Sequence, residues 1–255
     1  MRRSLQNALA STALTMLSLY LWRIAYISTD WAVLALIPLA FAIVAGLWPL
    51  VLKPWRARLH IALRPESSLG GFLTGRLRAI FISGAFTIVA VILLAWQALS
   101  VSIPEAAIIL AAFFLSACLF ATGQTLLLRH FQQPFARSIA TSVVTWTVAL
   151  PFTLIIALST WALAPIPGKM LDAELMDALL IGLGNLPERG GWIAAILALP
   201  YGYEATKIWA VVQLRDYPIV GAVFSLDAAL FSFVLCRSAI IITQFVETHI
   251  MKEPD

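Results

Sequence analysis

Charge is what this chain has least of. Only 12% of its 255 residues are Asp, Glu, Lys or Arg, about half the share of a typical soluble domain. So little polar surface cannot cover a water-soluble globule of this length. Cysteine is nearly absent: Cys118 and Cys236 both fall within apolar stretches. That excludes a secreted disulfide framework, and two thiols alone make no metal site, so both read as small buried hydrophobes. The three histidines, His60, His130 and His249, form no His-x-x-x-His pair, and no acidic cluster has metal-ligand spacing. Gly70-Gly71 fits no phosphate-loop pattern, and no nucleophile–base pair can be assembled. The expectation is therefore no metal and no cofactor, with an intramembrane enzyme kept only as the least favoured of three readings.

What is abundant is apolar length. Hydrophobic residues make up 61% of the chain, and the mean hydropathy is +0.92. Runs of 20 or more apolar residues are long enough to cross a bilayer as helices. The fold class that follows is all-α: a polytopic transmembrane helix bundle forming a single membrane domain over 1–255. About seven spans are expected, near residues 8–28, 31–52, 79–101, 104–127, 139–163, 191–213 and 218–245. Six spans plus one re-entrant segment, with span six as the uncertain crossing, is the alternative. The N-terminal Met1-Arg2-Arg3 before an apolar run resembles a signal peptide. No small-x-small cleavage site follows, so an uncleaved first span is expected.

Arginine outnumbers lysine 13 to 4, and the distribution of both sets the orientation. The 53–78 loop carries Lys53, Arg56, Arg58, Arg64, Arg76 and Arg78 against the single acid Glu66, and Arg129 and Arg137 mark a second basic loop. By the positive-inside rule both loops and the N-terminus are cytoplasmic, and the C-terminal tail after seven spans is outside. This placement accounts for the net charge of +4 without nucleic acid as a partner. The outer loop 165–189 has a net charge of −2, with Leu171, Leu175, Met176 and Leu179 at helical spacing opposite its acids. It reads as a short amphipathic helix on or capping the outer surface.

Charges inside apolar spans are the first place to look for function, because each costs a few kcal/mol in hydrocarbon. Span six holds Glu204 and Lys207, and span seven holds Asp227 and Arg237. Measured from the Arg215-Asp216 turn, Glu204 and Asp227 are each about 11 residues, or roughly 17 Å, along their helices. An antiparallel hairpin would bring them together with Lys207 near mid-membrane. Beside them lies Pro200-Tyr201-Gly202-Tyr203, where proline and glycine predict a kink or break. Broken helices next to charges build ion and substrate sites in many transporters.

The bland reading of the same charges is that they are helix–helix glue. Likewise, hydroxyl stripes on span one (Ser11, Thr15, Ser18) and span seven (Ser225, Ser232, Thr243) favour close packing over a water path. The functional expectation is a transporter or channel-like protein of a bacterial inner membrane, handling a proton, small cation or small solute. Its site residues would be Glu204, Lys207, Asp227, Arg237, Tyr201 and Tyr203, with Pro200 and Gly202 as a hinge. The alternative is a non-catalytic subunit or assembly factor of a larger membrane complex. Its partners beyond the lipid bilayer would be further copies of itself or other membrane subunits.

Overall fold

The computed structural model describes residues 2–62, 74–133, 135–158, 173–186, 191–214 and 217–251, and it is helical throughout, with no strand among them. The helices are α1 (Arg2–Ser28), α2 (Ile37–Ala62), α3 (Arg76–Ser100), α4 (Ile103–Leu127), α5 (Phe135–Leu158), α6 (Leu175–Gly184), α7 (Trp192–Gln213) and α8 (Pro218–Phe245). A 3-10 segment, Asp30–Leu36, leads into α2, and a π turn, Val246–Ile250, follows α8.

Local chemistry sets the starts and stops. Thr29 caps the 3-10 segment by accepting from the Trp31 N–H at 3.2 Å. At the α4 start the Glu105 carboxylate reaches back to accept from the Ser102 N–H at 3.0 Å, with Pro104 in the first turn. This satisfies donors that a helix start leaves orphaned. Both Pro49 and Pro54 lie inside α2, which runs to Ala62. The basic stretch expected to be loop from residue 53 is therefore helical at both ends, and residues 63–73 lie outside the described set.

Six helices are long and apolar enough to cross a membrane: Ser4–Ser28, Asp30–Ala62, Arg76–Ser100, Ile103–Leu127, Phe135–Leu158 and Leu226–Ile250. The stretch expected as span six, now α7, is not among them. Its run Pro200-Tyr201-Gly202-Tyr203-Glu204-Ala205-Thr206-Lys207 dilutes the apolar character that a bilayer crossing requires.

The last of the six is the bundle's axis. Within the most apolar 18 residues of each, 72% are buried in Leu226–Ile250, against 28–39% in the other five. Helix α8 packs on α1, α2, α4 and α5. Its Leu235, Ala239, Ile241, Ile242 and Val246 form the main core with Leu39, Ile43 and Leu47 of α2 and Phe113 of α4. Gly46 permits the closest approach: a Cβ there would meet the backbone carbonyl of Ile241. Helices in lipid associate largely through such small-residue contacts and packing. The hydroxyl stripes do the same work, with Ser11, Thr15 and Ser18 buried on α1 and Ser232 and Thr243 buried on α8. Thr243 Oγ1 donates to Ser11 Oγ across the two helices at 2.9 Å.

That hydrogen bond also fixes which ends lie together. The end of α8 sits beside the early turns of α1, and Glu247 contacts Arg137 at the start of α5 and Gln124 at the end of α4. The C-terminal end of α8 thus shares the basic end of the bundle with Lys53 and Arg137. The end of α8 and the turn after it, expected at the opposite end from Arg137, thus lie at the same end of the bundle.

Candidate functional site

Helix α7 lies across the other end of the bundle, which we call the far end. Ile193 and Leu197 join a cluster with Trp22 and Tyr26 of α1, Leu36 and Ala95. Trp22 Nε1 ties α1 to α3 there by donating to the Ala95 carbonyl at 3.0 Å. Further along α7, Glu204 comes within electrostatic reach of Glu105 in the first turn of α4, and Lys207 reaches α8. Successive turns of α7 therefore meet the far ends of α1 and α3, then α4, then α8. Helix α6 packs against its outer side through small residues. Gly182 abuts Ala205, Ala178 and Val212 are buried together, and Trp209 Nε1 donates to the Ala173 carbonyl at 2.9 Å. The short helix expected in the outer loop is present, but Leu175 and Met176 are exposed and Ala178 forms its packing face. Leu171 lies outside the described residues.

The structure brings Glu204, Lys207 and Asp227 together. Lys207 Nζ donates to Asp227 Oδ2 at 2.8 Å, with 19% and 28% of the two side chains exposed. Tyr203 interacts with the same carboxylate through its phenol. Glu204, one turn from Lys207, is half-buried and makes no hydrogen bond among the described residues, but it senses both Lys207 and Asp227. Tyr201 is buried and lies near Tyr26 and Arg23. All of these groups sit at the far end of the bundle. Pro200 and Gly202 are interior to one continuous helix, Trp192–Gln213. Gly202 is simply a packing position, its open side 3.6 Å from Leu179.

Arg237 separates from the cluster. It lies ten residues from both Asp227 on α8 and Glu247 in the π turn, about 15 Å of helix from each. Its guanidinium stacks over the Phe233 ring at 5.6 Å, and Phe233 in turn packs on Trp146 of α5 at 5.3 Å. No acidic partner reaches it among the described residues. Trp146 is itself 53% exposed, so this face of α8 and α5 opens to the bundle's surface.

Sequence reasoning missed a second constellation at the basic end. Lys53, Arg56 and Arg137 line adjoining clefts with Thr248 and His249. In the sequence the first three read as orientation signals, and His249 lies at their end of the bundle, not at the opposite one. The low apolarity of α7 was the signal that would have brought them together. No group of three metal-ligating side chains occurs among the described residues. Cys118 and Cys236 are free thiols. No protein-family model, no curated protein and no solved structure matches the chain.

Proposed function

We propose that this is an integral protein of a bacterial inner membrane, with six spans and both ends cytoplasmic, acting as a non-catalytic subunit of a larger membrane assembly. The orientation follows from the basic end carrying Lys53, Arg56 and Arg137. The function rests on one observation: Arg237, on the central helix some ten residues from both Asp227 and Glu247, lies at a face open to the surface without an acidic partner among the described residues.

The magnitudes decide against Arg237 as a self-sufficient structural residue. An arginine at a helix centre costs about 2.5–3.5 kcal/mol on the insertion scale, and snorkelling normally relieves it. About 15 Å of helix separates this one from Asp227 and from Glu247, beyond the reach of its side chain. A cation–π contact at 5.6 Å offsets about 0.5–2 kcal/mol. A carboxylate from a second membrane chain would supply the remainder. The test is the native mass of the complex extracted gently from its own membrane. Wild type should migrate with stoichiometric membrane partners, one of them crosslinking to a photoreactive residue placed at Phe233. Arg237→Leu should dissociate them while leaving the bundle folded, and Arg237→Lys should retain them. Wild type running alone would overturn the proposal.

The second reading is ion-coupled transport. Its specific support is Glu204, half-buried and free of hydrogen bonds among the described residues beside the Lys207–Asp227 pair. Proteoliposome flux abolished by Glu204→Gln, with folding intact, would favour it.

A further inference from the structure

We propose that the cleft at the basic end, between the end of α2, the start of α5 and the turn after α8, binds the phosphate of an anionic lipid headgroup. Two adjoining hollows of about 270 and 290 Å³ share Lys53 and Arg137, and Arg56 lines the first. Three permanent cations therefore face one space. Glu247 is the acid at its edge, and it is already committed. It takes Arg137 Nη2 at 3.5 Å and the Gln124 amide at 3.3 Å, both long for charge-assisted contacts. Arg137 Nε is buried with no acceptor. A buried guanidinium donor left unmade is costly, so its geometry calls for a further oxygen. Lys53 and Arg56 are exposed and have no acidic partner among the described residues.

The other wall selects the source of that oxygen. Ala45, Trp48 and Pro49 of α2 line the same space one to two turns deeper in the apolar part of the helix. Cations at the mouth and an apolar, aromatic wall below match a headgroup phosphate above its glycerol and acyl chains. A freely dissolved phosphate gains nothing from Trp48 and Pro49. Basic pockets between helices at the membrane surface bind anionic headgroups by this combination.

Native mass spectrometry of the delipidated whole chain, titrated with phosphatidylglycerol or phosphatidylcholine, tests the proposal. Phosphatidylglycerol should be retained preferentially. Lys53→Gln/Arg56→Gln changes two exposed side chains and should weaken retention roughly 30-fold, from about fivefold per surface cation. Arg137→Lys keeps the charge, loses the Nε donor, and should also weaken it. Equal retention of the two lipids, or no loss in the double variant, overturns the site. Binding of inorganic phosphate at millimolar concentration that displaces the lipid would overturn the lipid as its source.

Discussion

Gly46 offers the sharpest test of the central position of α8. A methyl group at this position would collide with the Ile241 carbonyl oxygen and lie 2.9 Å from Ile241 Cγ2. The first obstacle is backbone, so no rotamer change relieves it. Helices α2 and α8 would have to separate by roughly 1 Å, given that non-bonded heavy atoms settle near 3.5–4.0 Å. Separation loosens the main core around Ile43, Leu47 and Ile242. Overpacking of this kind costs about 1–3 kcal/mol, and Gly46→Val should cost more than Gly46→Ala. Gly84 on α3 is the internal control, because nothing lies within 4 Å of its added Cβ. Gly84→Ala should be neutral, or stabilising by up to about 1 kcal/mol through helix propensity. Unfolding in mixed micelles by increasing dodecyl sulfate, followed by the fluorescence of the nine tryptophans, reads all three variants. If Gly46→Ala unfolds no earlier than Gly84→Ala, the close crossing of α2 and α8 is wrong.

Single cysteines at Arg58 and His249, in a background lacking Cys118 and Cys236, should react with an impermeant thiol reagent from the same side of the membrane. Labelling from opposite sides would restore seven crossings. In a double-mutant cycle, Lys207→Met and Asp227→Asn should show coupling of about 1 kcal/mol. The 2.8 Å contact is charge-assisted, but its partial exposure discounts it. Coupling near zero would detach α7 from α8. Trp22→Phe should destabilise by about 1 kcal/mol in the same micelle assay, since it removes the side-chain hydrogen bond to the Ala95 carbonyl across the α1–α3 contact. A neutral result would show that bond to be unimportant.

Much of the architecture was legible because it is a local property. The stretches expected at 79–101, 104–127, 139–163, 191–213 and 218–245 are helices within about five residues of those bounds, since apolar length favours a helix in lipid. The hydroxyls of α1 and α8 were readable as packing positions, and Ser11 and Thr243 bear this out. Glu204, Lys207 and Asp227 were readable as one cluster because i, i+3 spacing and a nearby partner helix are short-range facts. Their depth was not readable. It depended on whether 191–213 crosses, and that stretch combines apolar residues at its start with Tyr203, Glu204 and Lys207 at its middle.

The sequence by itself determined the class of molecule, the helical segments and the basic loops, because hydrophobicity and charge add up residue by residue along the chain. Only the tertiary structure decided that α7 lies across the bundle end, that α8 is the axis, and that Glu247 meets Arg137. Each crossing reverses the side of everything after it, so whether 191–213 crosses sets the side of the C-terminus and of every charge on α8. What surrounds Arg237, an exposed Trp146 with no acid among the described residues, is a matter of packing alone.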